Sequence, residues 1–82
     1  MITPLVMSYE YKNGTVLRMT LHNDTTLATA IRIAKDNIAS PYGGYTIKTV
    51  GILRGGLLAV VEGSTVDLTN EGLRLQSEEA SK

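Results

Sequence analysis

The stretch that decides the fold is "SPYGGYTIKTVGILRGGLLAVVEG", Ser40 to Gly63, in which two glycine pairs bracket an apolar run. Glycines in such a setting can cradle a phosphate or reverse the chain. A phosphate cradle needs its glycines directly before a helix, where free amides converge on the anion. Here each pair precedes a β-branched, strand-forming segment, and neither leads into the lysine-serine or lysine-threonine that closes a nucleotide loop. Gly43-Gly44 therefore reads as a reversal leading into a strand from Tyr45 to Arg54. Gly55-Gly56 reads as a two-residue hairpin turn of the kind that needs positive φ. That turn pairs Arg54 with Leu57, Ile52 with Ala59 and Val50 with Val61 on one face, and sends Leu53, Leu58 and Val60 to the other. Both faces of the hairpin are apolar, so one should pack on a helix while the other needs a cover, from a crossing segment or from a second copy of the chain.

Upstream, Leu5, Met7, Tyr9 and Tyr11 alternate with polar residues, and Leu17, Met19 and Leu21 do so again. These are two half-buried strands. Asn13-Gly14 suggests a two-residue loop between them, but that register places Tyr9 beside Arg18 and buries neither apolar set cleanly. A three-residue loop, Lys12-Asn13-Gly14, with Gly14 left-handed, pairs Tyr11 with Thr15, Tyr9 with Leu17 and Met7 with Met19, and puts both apolar sets on one face. Between the hairpins, Leu27, Ala30, Ile31, Ala34 and Ile38 recur at helical period. Asp24 or Thr25 can cap the start of that helix, and Ser40-Pro41 ends it. Its opposite face carries Thr29, Arg32, Lys35 and Asp36.

The expected fold is a small α+β domain over residues 1–75, in ββαββ order. It has an antiparallel meander of four strands, or five if Thr65–Leu68 adds a short one, with one helix across a face. From about Gln76 the chain loses periodicity and gathers acidic residues, which reads as a disordered tail over 76–82.

Composition narrows the function. The chain has 82 residues, no cysteine, one histidine and zero formal net charge. Disulfides and thiolate metal sites are excluded, a lone His22 builds no histidine metal site, and the neutral balance argues against a general polyanion binder. Residues 1–60 carry six basic and three acidic side chains, and residues 61–82 carry two and five, so a mildly basic body precedes an acidic end. The longest apolar run, Leu57 to Val61, is far short of the roughly 20 residues of a spanning helix. "MITPLVMSYEY" has no basic flank and an interrupted apolar run, unlike a secretory signal, and Met7 could serve as an internal start. The expectation is a cytoplasmic protein without a membrane partner.

No set of acid, base, nucleophile or metal ligands is legible, and nothing selects a cofactor. His22 with Asp24 is the nearest approach to a general base pair, but it has no matching nucleophile, and Asp24 has the simpler task of capping the helix. The expectation is therefore a binding protein, not an enzyme. Arg32 and Lys35 on the helix, with Lys48 and Arg54 on the following strand, form one modest basic patch if the two elements are neighbours. Tyr42 and Tyr45 flank a glycine pair and offer stacking rings for single-stranded nucleic acid, the alternative partner to a protein. Self-association as a homodimer is expected through the second hairpin, at Val50, Ile52, Leu58, Ala59, Val60 and Val61, because so small a core carries no other staple.

The helix "TLATAIRIAKDNI" followed by "YTIKTVGILRGGLLAVVEGSTVDL" resembles small phage-encoded antidefence proteins. It is similar in pattern to anti-CRISPR proteins in which an AxRIA-type helix precedes an antiparallel hairpin. The likeness covers Thr26 to Leu68, about half the chain, with the glycine pairs outside the pattern. It implies a non-enzymatic inhibitor that occupies a surface on a host nuclease or its nucleic-acid groove, with Arg32, Lys35, Lys48 and Arg54 as the residues in position to compete for a polyanion contact.

Overall fold

The computed structural model describes residues 3–39 and 46–81. Tyr42, Tyr45 and the Gly43-Gly44 pair lie outside them. The elements run β1 (Val6–Tyr11), β2 (Val16–Thr20), α1 (Leu27–Ala39), β3 (Ile47–Arg54), β4 (Gly56–Glu62), β5 (Thr65–Leu68) and α2 (Asn70–Ala80). The fold is α+β, with one antiparallel five-stranded sheet in the order β2-β1-β3-β4-β5. The optional fifth strand, Thr65–Leu68, forms as expected, and the ββαββ order is extended by it and by a second helix; the sheet is not the expected simple meander, because β3 pairs with β1 instead of β2.

The first hairpin takes the three-residue loop. Tyr9 faces Leu17, Met7 faces Met19, the Tyr11 amide donates to the Thr15 carbonyl at 2.9 Å, and Gly14 has φ of 92°. Only a residue without Cβ adopts that conformation at no steric cost, so the loop length follows from Gly14.

The second hairpin differs from expectation at its tip. Ile52 faces Ala59 and Val50 faces Val61, but Arg54 pairs with Gly56 and Leu53 with Leu57, with the register shifting between Ile52 and Leu53. One residue of β4, Leu58, is left over as a bulge. It joins Ala59 on the buried side, while Leu57 takes the outer side beside Leu53. A bulge re-aims side chains in this way because two residues of one strand oppose one of the other. A second irregularity, between Glu10 and Tyr11, skips Lys48 and lets Ile47 oppose Tyr11.

Both helices cover one face of the sheet. The core consists of Leu5, Met7, Tyr9, Leu27, Ala30, Ala34, Val50, Ile52, Leu58, Ala59, Val61 and Leu75, with Ile31, Ile33, Ile38, Ile47, Val66 and Leu68 packed around it. On α1 the alanines at positions 30 and 34 are fully buried, which lets the helix approach β3 and β4 closely. The cap of α1 is neither Asp24 nor Thr25. Thr26 Oγ1 accepts the Thr29 amide at 3.2 Å, and the Leu27 amide donates to both carboxylate oxygens of Glu79 at 3.0 and 2.9 Å. A carboxylate at this end of a helix completes free amides and opposes the helix dipole.

Glu79 belongs to α2, so the segment expected to be a disordered tail from Gln76 is helical as far as Ala80. Its anchor is polar and steric, not an apolar stripe. Thr69 caps it, accepting the Gly72 amide at 3.1 Å and donating its hydroxyl to the Leu57 carbonyl at 2.8 Å. A Cβ on Gly72 would lie 2.0 Å from the Leu58 carbonyl oxygen, so the helix backbone rests directly on β4.

Candidate functional site

Residues directly opposite in adjacent strands share a face, so the registers assign the side of the sheet that no helix among the described residues covers. It carries Val16, Arg18 and Thr20 of β2, Val6, Ser8 and Glu10 of β1, Thr49, Gly51 and Leu53 of β3, Leu57, Val60 and Glu62 of β4, and Thr65 and Asp67 of β5. Val6, Leu53, Leu57 and Val60 form an apolar centre on the three middle strands. Leu57 is 41% exposed and the other three are half-buried. Polar side chains surround them, with Glu10 accepting the Thr49 hydroxyl at 3.1 Å.

Gly51 sits in the middle of this face. Its φ is not positive, so the backbone does not require glycine there. A Cβ at this position would meet Leu53 Cδ1 and Leu57 Cδ1 at 3.7 Å and Ser8 Cβ at 3.9 Å, all ordinary contact distances. Glycine in a strand interior weakens the strand and often marks close approach by another body. Here it leaves a shallow dip between two leucines at the centre of the open face.

The residues expected to mediate self-association fall mostly on the other side. Val50, Ile52, Ala59 and Val61 have no exposed surface and Leu58 has 4%, so the chain's own helices cover them and no second copy can reach them. Leu58 was expected beside Leu53 and Val60, and the β4 bulge turns it inward. Of the six, only Val60 belongs to the open face.

The four basic residues are exposed, but they do not form the single patch expected of them. Lys48 and Arg54 lie at opposite ends of β3, about 20 Å apart at roughly 3.3 Å per residue. Arg32 and Lys35 lie on the outer side of α1. Arg54 shares a hollow of about 460 Å³ with Glu71, Arg74 and Glu78, so its charged neighbours there are two acids and one base.

His22 Nδ1 lies 2.6 Å from Asp24 Oδ1, and the two side chains are 80% and 85% exposed. Water screens a pair in that setting. Among the described residues no group of three or more metal-ligating side chains gathers, and no helix is long and apolar enough to cross a membrane. Tyr9 lies under α1. Burial raises its pKa, opposed by the hydrogen bond that Asn37 Nδ2 donates to its hydroxyl oxygen at 2.8 Å.

Sequence reasoning missed Val6, Gly51 and Leu57 as surface residues. For Gly51 the signal was present: a glycine flanked by Val50 and Ile52 within a strand, away from any turn. Comparison of the chain with protein-family models, with curated proteins and with solved structures found no match in any of the three.

Proposed function

We propose that this chain is a non-enzymatic binding protein that covers a surface on a protein partner with the open face of its sheet. The observation that carries this reading is the apolar centre Val6-Leu53-Leu57-Val60 around Gly51, rimmed by polar residues on a face without a helix. An apolar centre with a polar rim is the usual anatomy of a recognition surface, and a rigid sheet presents it at little ordering cost. In its narrower form, implied by the resemblance to phage antidefence proteins, the partner is a host nuclease complex and the chain is its inhibitor.

The test is capture on the immobilised chain from a bacterial lysate, followed by mass spectrometry, alongside binding to labelled single- and double-stranded oligonucleotides over a salt series. A protein retained by wild type and lost with Leu53→Asp, together with no oligonucleotide binding, is the expected result. Oligonucleotide binding that falls steeply with salt would instead make the chain a nucleic-acid module.

A further inference from the structure

The two edges of the sheet are built differently. The β5 edge is four residues long, carries the exposed Asp67, and is followed at once by α2. Short strands and charges blunt an edge against pairing. No helix among the described residues packs along the β2 edge: all five residues from Val16 to Thr20 are exposed, including Val16 at 56%, Leu17 at 49% and Met19 at 47%. Neither proline nor a bulge interrupts its pairing with β1.

The direction of its backbone groups follows from the hairpin. The Tyr11 amide donates to Thr15 and the Leu21 amide to Leu5, at 2.9 and 2.8 Å. Hydrogen-bonded pairs alternate in an antiparallel ladder, so the odd residues of β2 bond inward to β1. The amides and carbonyls of Val16, Arg18 and Thr20 point outward, with no strand of the described residues beyond them.

We infer that β2 pairs antiparallel with β2 of a second copy, with Leu17 on the two-fold axis, to make one continuous ten-stranded sheet. This goes beyond the open-face reading: it uses the β2 edge and the rim of that face, not its apolar centre. Three features select the register. Val16 and Arg18 of one copy oppose Arg18 and Val16 of the other, so outward backbone groups meet in two closed rings. Each Met19 falls opposite the other copy's Thr15, beside a hollow of about 340 Å³ lined by Tyr11, Asn13, Thr15 and Leu17. Each Arg18 extends over the other copy's Val16 toward Glu10, which faces Val16 across β1 and β2. The register centred on Arg18 would instead set two arginines directly opposite, which is unfavourable. Because α1 packs on β3 and β4, and α2 on β4 and β5, the helices stand clear of the junction.

Sedimentation equilibrium over a concentration series up to about 1 mM tests this, with a reversible dimer expected. Arg18→Pro removes an outward amide and the charge while keeping the bonds to β1, since proline is tolerated on an edge strand whose amide faces solvent. It should weaken the dimer about 100-fold, or about 2.7 kcal/mol, with an unchanged far-ultraviolet spectrum. Arg18→Glu alone should weaken the dimer, and adding Glu10→Arg should restore it to within about threefold of wild type. The charge exchange decides the matter should the proline variant fail to fold. A wild type that stays monomeric throughout, a dimer that tolerates Arg18→Glu, or a dimer lost with Leu57→Asp would overturn the inference. The last of these would place self-association on the open face.

Discussion

The two faces of this sheet are made of similar residues and have different fates. The same three strands present Met7, Val50, Ile52, Ala59 and Val61 to the helices and Val6, Leu53, Leu57 and Val60 to the outside. The difference is cover, and cover depends on what crosses each face. Apolar residues on the helix face contribute stability. Those on the open face contribute little to the isolated chain and are available to a partner. Equivalent substitutions on the two faces should therefore separate folding from binding.

The largest contrast is expected at Ile52. Ile52→Ala opens a cavity under α1 and should cost about 2–5 kcal/mol in urea unfolding, whereas Leu53→Ala, one residue along on the other face, should change stability by less than about 0.5 kcal/mol. Equal losses from the two would remove the distinction between the faces.

Next comes Gly72, on which α2 docks. With a Cβ 2.0 Å from the Leu58 carbonyl oxygen, the Gly72→Ala helix must lift off β4. A cost of about 1–3 kcal/mol is expected, with the amides of Leu73 and Leu75 losing hydrogen-exchange protection first. A variant as stable and as protected as wild type would show that α2 does not rest on β4.

A pH series addresses the helix face in another way. Tyr9 has its pKa raised, chiefly by burial. Above about pH 10 the unfolded chain releases this proton while the folded chain still holds it, so stability falls as pH rises from the ordinary tyrosine value toward the raised one. Tyr9→Phe should flatten that part of the profile while losing the Asn37 hydrogen bond at neutral pH. An unchanged alkaline slope in the variant would assign the loss to another group.

The smallest stability effect has the opposite sign. Gly51→Ala relieves the entropic cost of glycine within a strand, and its methyl finds ordinary contacts, so stability should rise by about 0.5 kcal/mol. The same methyl fills the dip between Leu53 and Leu57 and should weaken partner capture. A gain in both would deny Gly51 a place in the recognition surface.

Much of this arrangement was legible in the sequence. Side-chain parity alone selected the Lys12-Asn13-Gly14 loop, and the stripe from Leu27 to Ile38 located α1. Two features were not legible, for different reasons. The bulge at Leu58 exchanges Leu57 and Leu58 between faces, and parity counting cannot see an extra residue when both candidates are leucine. Helix α2 lacks the apolar stripe that marks α1, since Leu73 is 51% exposed and only Gly72 and Leu75 are buried. What holds it is the Thr69 cap, the contact of Gly72 with a carbonyl, and the Glu79 carboxylate on the Leu27 amide. These are tertiary contacts, and only the cap has a local signature, in Thr69 followed by Glu71 in the first turn. The basic positions are exposed, but the patch they were expected to form depends on tertiary placement, and their spacing along β3 and α1 separates them.

The most direct measurement compares two leucines of similar exposure on different surfaces, Leu57 on the open sheet face and Leu73 on α2. Partner capture by immobilised Leu57→Asp and Leu73→Asp, each first shown to unfold at the urea concentration of wild type, should give loss for Leu57→Asp and full retention for Leu73→Asp. Capture that survives Leu57→Asp, or that fails equally in both, would contradict an account in which the uncovered face of the sheet is where this protein meets its partner.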